Sequence, residues 1–376
     1  MINKEQMQWF ATAAFGLEGV VGNELKRLGF EGVKAEVGGA RFTASAHEAF
    51  RAMLWLRSAD RLLLVIKEGT VKTFEELFQL VKSIPWEDYL PRDAKFPVTG
   101  KCARSQLMSV RDCQAITKKA IVERLKSAYR QDWFKETGAL YPIDVSLHCD
   151  VARLTLDFSG EALNRRGYRT WNGEAPLRET LAAALVQLSP WRPGIPLYDP
   201  CCGTGTLLIE TALIASRRAP GLNRTFACES FAFMDQAEMA AIREEAREAF
   251  DPSRMGSIEG SDIDENPLSL AKKHIVQAGL SNKILVHQED LRTVQRAEPQ
   301  GVFMVNPPYG ERLGDRKSCE KLYKELGLLL KRHPGWSMCV IASQPDFERH
   351  FGRRATKKRR LYNGRLECEF MIFTSK

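Results

Sequence analysis

The chain lacks every short signature that would assign it to a metal or redox class. No C-x-x-C pair occurs among its nine cysteines, at positions 102, 113, 149, 201, 202, 228, 319, 339 and 368, so neither a zinc ribbon nor a redox dithiol is written into it. An odd, scattered set of thiols fits reduced cysteines in a cytoplasmic protein. No apolar run reaches the ~18 residues needed to cross a bilayer, and "MINKEQMQWFATAAFGLEG" is too polar for a secretory h-region. The expectation is a cytoplasmic chain with no membrane partner. Low-complexity tracts and solenoid-like repeats are missing too. No Gly-Lys-Ser/Thr follows a glycine turn, which excludes the phosphate loop of nucleoside triphosphatases.

What is present is an ordinary globular composition, 44% hydrophobic and 27% charged over 376 residues, with a formal net charge of +8. That length holds two or three domains at ~150 residues each, and the basic excess points to a polyanionic partner, nucleic acid ahead of membrane. The first 70 residues read as strand–helix–strand–helix–strand, a small α+β unit. Residues 71–165 repeat the style, with the helical "RDCQAITKKAIVERLKSAYR" and the alternating "IDVSLHCDVARLTLDF". Lys101, Arg104, Arg111, Lys118, Lys119, Arg124, Lys126 and Arg130 outnumber Asp112 and Glu123 there, which by itself reads as a solvated helix face before a phosphate-contacting one.

Polar, glycine-rich "GEALNRRGYRTWNGEAP" serves as a linker, and from Ile195 apolar strands alternate with amphipathic helices. This predicts a doubly wound α/β domain with a mostly parallel sheet. The final "RLECEFMIF" reads as an antiparallel strand.

Ligands in such a sheet lie at the carboxyl ends of its strands. In "LYDPCCGTGTLLIE" a strand passes through Gly203 and Gly205 into a helix, so backbone and helix N-terminus face a ligand closely. Leu208 stands where a dinucleotide fingerprint needs its third glycine. The next strand ends in Asp262, placed for a ribose diol, with Ile263 to cover an adenine face. The third ends in Asp290, an acceptor for an adenine amine. The fourth, "VFMVNPPYG", ends in Asn306-Pro307-Pro308-Tyr309.

This set resembles the class I S-adenosylmethionine-dependent methyltransferases that modify exocyclic amines of nucleobases. An exocyclic amine is a poor nucleophile because its lone pair is delocalised into the ring. The Asn306 side-chain oxygen and the Pro307 carbonyl can accept both amine hydrogens and favour the pyramidal nitrogen of the transition state. The prolines fix those acceptors, and Tyr309 offers a surface for an unstacked base.

With "NRRGYR…APLRETLAAAL", "DPCCGTGT", "GSDID", "NPPYGERLG" and "LYNGRLECEF", the chain is more specifically similar to bacterial large-subunit ribosomal RNA guanine-N2-methyltransferases. It resembles a free-standing relative of the N-terminal half of the fused two-methyltransferase enzyme. That resemblance implies a ferredoxin-like domain at 1–70, a THUMP RNA-binding domain at 71–165 and a Rossmann-like methyltransferase domain at 166–376. It implies S-adenosylmethionine contacts at Asp199, Pro200, Cys202, Gly203, Thr204, Gly205, Thr206, Asp262, Ile263, Asp290, Leu291 and Asn306, with catalysis at Asn306, Pro307, Pro308 and Tyr309 and no metal. RNA, 23S ribosomal RNA or a pre-50S particle, is then expected on Lys101, Arg104, Arg111, Lys118, Lys119, Arg165, Arg166, Arg353, Arg354, Lys357 and Lys358. Guanosine N2 in 23S ribosomal RNA is the expected target. Transfer RNA, adenine N6 in DNA and a non-catalytic RNA-binding role are the alternatives. "FACESFAFMDQAEMAAIREEAREAF" stretches the interval from Gly205 to Asp262 far beyond the ~20 residues usual between a glycine turn and its ribose acid, and reads as a helical insertion.

Overall fold

The computed structural model describes residues 6–169, 177–308 and 316–374. In the amino-terminal part, β1 (Met7–Thr12), α1 (Glu18–Arg27), β2 (Lys34–Glu36), β3 (Gly39–Ala44), α2 (Ala46–Trp55) and β4 (Arg61–Thr70) are followed by α3 (Phe74–Lys82), β5 (Val98–Ala103), α4 (Val110–Tyr129), β6 (Ile143–His148) and β7 (Val151–Asp157). Two helices start where the sequence says they should. Ser45 with Glu48, and Thr73 with Glu76, form capping boxes that satisfy the first free N–H groups of α2 and α3.

These strands make one sheet in the order β2-β3-β1-β4-β7-β6-β5. β4 and β7 pair antiparallel from Leu63 opposite Asp157 to Thr70 opposite Val151, with a bulge between Val65 and Lys67. The two sequence units therefore share a continuous sheet. β5 and β6 are parallel because α4 crosses over between them.

The second part contains α5 (Glu179–Leu188), β8 (Leu197–Asp199), α6 (Thr206–Ala215), α7 (Gln236–Glu248), β9 (Ile258–Asp262), α8 (Glu265–Gln277), β10 (Leu285–Gln288), β11 (Gly301–Val305), α9 (Arg316–Arg332), β12 (Trp336–Ala342), α10 (Phe347–Phe351), β13 (Lys357–Asn363) and β14 (Leu366–Phe373). Its sheet runs β10-β9-β8-β11-β12-β14-β13. The first five strands are parallel, and β14 is antiparallel to both neighbours. Every residue of β11 is buried, as expected of a central parallel strand covered on both faces. The strand order reverses at β8 and β11, the switch point where a ligand crevice opens.

The insertion before β9 packs onto the amino-terminal core instead of its own sheet. Phe231 stacks on Tyr141 with ring centroids 4.5 Å apart and meets Phe158 edge-on at 5.2 Å, while Phe226 meets Phe50 at 5.8 Å. Each fully buried aromatic of this kind contributes about 2–3 kcal/mol, so the insertion works as a clasp between the halves.

Candidate active site at the carboxyl edge of the second sheet

β8 delivers Asp199 to a turn that hydrogen bonds hold on every side. The Cys201 N–H donates to Asp199 Oδ1 at 3.0 Å, and the Cys202 N–H donates to the Ser261 carbonyl at 2.9 Å. The Gly203 N–H donates to Asp262 Oδ2 at 2.9 Å, and the Gly205 N–H donates to the Cys202 carbonyl at 2.8 Å. Gly203 and Gly205 have φ of +51° and +79°, left-handed values that an L side chain adopts at a cost. Gly205 is the N-cap of α6, so that helix points its first N–H groups into the crevice.

Asp262 is split between two duties. Oδ2 holds the turn and Oδ1 accepts from the Asp264 N–H at 3.1 Å, yet each carboxylate oxygen retains a second acceptor direction. Capping of α8 falls to Asp264, whose Oδ1 accepts from the Asn266 N–H at 2.9 Å. Ile263 is 67% exposed, an apolar side chain beside the acid with nothing over it. A Cβ built on Gly203 would meet nothing within 4 Å. An open cradle at Gly203, acceptors on Asp262 and the uncovered Ile263 fit a nucleoside with a ribose diol.

Asp290 lies two residues past β10, and Arg292 grips its carboxylate through the main-chain N–H and the guanidinium. That pairing holds Asp290 below the usual carboxylate range. Asn306 and Pro307 follow β11 directly, and the Pro308 carbonyl accepts from the Cys319 thiol at 3.9 Å. Tyr309 lies outside the described residues. Pro200 and Cys202 are buried beneath the turn, and the Thr204 carbonyl lies 3.2 Å from His274 Nδ1. Two expected contacts turn elsewhere. The Leu291 side chain, in the turn after β10, is buried in the core cluster that holds Val294 and Phe303. The Thr206 hydroxyl accepts from Arg169 of the linker.

Burial dominates the electrostatics. It pushes Asp199 well above the usual carboxylate range, and the nearby Asp262 charge adds to the effect. The thiols of Cys201 and Cys202 are also raised, by burial and then by those carboxylates, which keeps them protonated and unsuited to nucleophilic attack. The Tyr198 hydroxyl donates to Glu289 Oε2 at 3.1 Å and lies 2.9 Å from Ser261 Oγ, bracing β8 against β9 and the end of β10.

Asp199→Asn is expected to separate stability from binding. A carboxyl whose pKa rises on folding keeps its proton where the unfolded chain has lost it. Its contribution is therefore most favourable below the unfolded value of about 3.9 and declines as pH rises. The neutral isostere should raise the melting temperature at pH 7 by about 2–4 °C, for roughly 1 kcal/mol gained, and the gain should shrink on acidification. Binding of a cationic nucleoside, measured by calorimetry, should change by less than about threefold, because the buried carboxyl is already held toward its neutral form and the amide oxygen still accepts from the Cys201 N–H. A variant less stable than wild type, or one that loses binding tenfold, would contradict this account.

Gly260, in the middle of "SIEGSD", was not singled out by the sequence reading, although a strand glycine often marks a close approach. A Cβ there would lie 2.7 Å from Leu208 Cδ1 and 2.9 Å from both the Asp199 carbonyl and Cys202 Cβ. Gly260→Ala should thus unfold the turn at lower temperature. Gly203→Ala should cost only the left-handed penalty of about 1–2 kcal/mol while abolishing nucleoside binding. Thermal melts with and without ligand distinguish the two.

The cations expected to meet RNA scatter over several surfaces. Lys101, Arg104, Arg111 and Lys119 are exposed or half-exposed along β5 and α4. Lys118 is already engaged by Glu136 at 2.7 Å and lies 3.4 Å above the Phe96 ring. Arg165 is exposed, but Arg166 corrects the expectation: it is 3% exposed and donates to the Leu163 and Arg57 carbonyls. Its guanidinium closes a buried network and faces no solvent. Arg353 donates to the Thr374 carbonyl, and Lys358 pairs with Glu348 at 2.6 Å. Arg354 and Lys357 are both exposed. A groove of about 900 Å³ between α9 and α10 adds Lys317, Lys321, Lys324, Lys331 and Arg349. The lysine spacing in "KSCEKLYKELGLLLK" gives one helix face and was legible but unread. Among the described residues, no group of three or more His, Cys, Asp or Glu is placed to hold a metal ion, and no helix is long and apolar enough to cross a membrane.

Comparison with known proteins agrees with this geometry. Residues 166–372 match the "RMKL-like, methyltransferase domain" family, residues 8–63 the "RlmL ferredoxin-like domain" and residues 71–157 the THUMP domain. The chain is 44% identical over 368 residues to "Putative RNA methyltransferase YpsC" of Bacillus subtilis (strain 168), covering 97% of this chain and 95% of that protein. It is 35% identical to "Ribosomal RNA large subunit methyltransferase K/L" of Syntrophotalea carbinolica over 98% of this chain, spanning 53% of that relative's length. Among solved structures, a "predicted N6-adenine-specific DNA methylase" from Listeria monocytogenes superposes with a TM-score of 0.94 at 45% identity, covering 99% of this chain and 97% of that one. SMU.472, solved with SAH, superposes with a TM-score of 0.93 at 40% identity, covering 99% of both chains. The crevice thus belongs to a class I fold that uses S-adenosylmethionine, and the chain is a member of the RMKL-like methyltransferase family, carrying ferredoxin-like and THUMP domains ahead of its catalytic domain.

Proposed function

We propose that this protein methylates RNA, at the exocyclic N2 amine of a guanosine in 23S ribosomal RNA. The observation that carries the reading is the joint presence, in one chain, of a THUMP domain and an Asn-Pro-Pro-Tyr strand end, with 35% identity along 98% of its length to a large-subunit ribosomal RNA methyltransferase. The chain spans about half the length of that K/L relative.

S-adenosylmethionine supplies a methyl group already activated on a sulfonium. The chain's residues bind and orient. Asp262 accepts from the ribose diol, Ile263 covers the adenine, and the Gly203–Gly205 backbone leaves room for the methionine portion. Asn306 Oδ1 and the Pro307 carbonyl take the two amine hydrogens of the target base. As the nitrogen becomes pyramidal its N–H bonds turn toward those acceptors, so the interaction strengthens in the transition state. Pro307 and Pro308 restrict the backbone that carries them. The target base must leave its helix to reach this lip, which favours a loop or an unfolded strand of RNA.

Nucleoside mass spectrometry on separately purified 23S, 16S and transfer RNA from cells lacking the gene tests the reading. Loss of N2-methylguanosine from 23S RNA alone is the expected result. Loss from transfer RNA would keep the chemistry and overturn the substrate, whereas N6-methyladenine missing from DNA would overturn both.

A further inference from the structure

Phe15 is 56% exposed, although the chain next to it is closely packed. Gly16 has φ +85°, and a Cβ there would lie 2.9 Å from the Arg360 carbonyl and 3.1 Å from Leu361 Cδ2. Its N–H donates to Glu18 Oε2 at 2.9 Å, and its carbonyl accepts from Arg359 Nη1 at 3.2 Å. Leu17 and Leu361 are buried in the core shared with α5 and α6. The chain therefore uses a glycine turn and a buried leucine to hold one phenylalanine out in solvent.

Its surroundings complete a surface. Tyr362 meets Phe15 edge-on, with centroids 5.8 Å apart and planes at 82°. The Arg360 guanidinium lies 5.9 Å from the Phe15 ring centre. Tyr362 is steadied by its hydroxyl donating to Glu367 at 2.9 Å. Leu366 and Arg365 at the hairpin end are exposed, and with Arg359 and Arg360 the cations exceed Glu367.

Strand register places this surface on the active-site side. Val305 of β11 stands opposite Val340 of β12, and Val340 stands opposite Met371 of β14. Beyond Ala342 opposite Glu369, the β13–β14 hairpin continues through Tyr362 opposite Glu367 and Asn363 opposite Leu366. The hairpin end thus projects past the carboxyl ends of the parallel strands, on the side where β11 delivers Asn306. Three strand spacings separate β11 from β13, about 14 Å, a distance that a few nucleotides bridge.

We infer that Phe15, Tyr362 and Arg360 form a stacking platform for an unpaired base of the RNA strand that flanks the target nucleotide. Aromatic faces and a guanidinium recognise any base by its π-face, without reading its edge. Holding a neighbour there keeps the strand from re-stacking while the target base occupies the Asn306 lip. The platform joins the ferredoxin-like part to the catalytic domain, so docking of the two halves is needed to build it. This inference rests on the reading of RNA as substrate but not on which RNA or which base atom.

The test compares binding of a fluorescein-labelled twelve-nucleotide oligoadenylate with an abasic ribose-phosphate strand of the same length, by anisotropy at fixed salt. The wild type should bind the base-bearing strand roughly tenfold more tightly. Phe15→Ala and Tyr362→Ala should close most of that gap, Phe15→Trp should keep it, and Phe15→Leu should behave like alanine although it preserves apolar volume. S-adenosylmethionine affinity, measured on the same preparations, should not move. No gap in the wild type, or a gap left intact in both alanine variants, overturns the platform. The readout needs no methylation, so failure to find a 23S target in the nucleoside analysis would leave it standing, and its failure would leave the target assignment untouched.

Discussion

Asn306→Ala is expected to slow methyl transfer by about 100- to 1000-fold, the cost of removing one acceptor that acts chiefly in the transition state, while shifting S-adenosylmethionine affinity by less than about threefold. The asymmetry follows from where the residue sits. The turn at Gly203 and the acid at Asp262 hold each other directly, across β8 and β9, whereas Asn306 follows the end of β11, the other side of the switch point. Single-turnover methylation of ribosomal RNA isolated from cells lacking the gene gives the chemical step, and calorimetry gives binding. Equal losses in both would remove Asn306 from the chemistry and make it a cofactor ligand. Asn306→Asp should retain more rate than alanine because one acceptor oxygen survives. A melting temperature within a few degrees of wild type for both variants shows that the lip, and not the fold, was changed.

Much of this was readable because strand ends are local. β8 to β11 could each be found from a short apolar run, and doubly wound topology then fixes which end carries the ligand, so Gly203, Asp262, Asp290 and Asn306 could be placed in one crevice from the sequence. Pairing between distant segments was not readable. Nothing in "RLLLVIKEGT" or "VARLTLD" announces that β4 and β7 join two units into one sheet, because register depends on partners almost a hundred residues apart. The insertion looked helical, and α7 is helical, but its anchoring on Tyr141 and Phe158 through Phe231 depends on long-range packing that no periodicity reports. Arg166 shows the same limit for charge. In "NRRGYR" two arginines stand together, and sequence treats them alike, yet one is exposed and the other is sealed inside. Composition predicts a basic surface and cannot say which cations the fold keeps for itself.

Glu210→Ala is expected to cost about 3–5 kcal/mol, the range for removing one partner of a buried ion pair, with a melting temperature lower by roughly 10 °C. Glu210 is 0% exposed on α6, one turn behind the glycine loop. It accepts from the Tyr168 hydroxyl at 3.0 Å and stands 3.5 Å from Arg166 Nε. Arg57 lies in the same buried field, and burial lowers its pKa to about 10 even though Glu210 and Glu24 oppose that shift. Removing the carboxylate would leave two guanidinium groups desolvated without their main counter-charge, a far larger penalty than a lost surface pair. Glu210→Gln should cost less, since it keeps an acceptor for Tyr168, and Arg166→Met combined with Glu210→Leu should recover much of the loss by replacing the pair with apolar volume. The network also bears on function. Tyr168, Arg166 and Arg169 belong to the linker, Arg57 to the ferredoxin-like part, and Thr206 and Glu210 to the helix whose N-terminus faces the cofactor crevice. Loosening it should therefore weaken RNA methylation more than S-adenosylmethionine binding, because the crevice is built within one sheet but the RNA surface needs both halves in register. A Glu210→Ala variant that melts within 2 °C of wild type and methylates normally would show that this network is not what holds the halves in register.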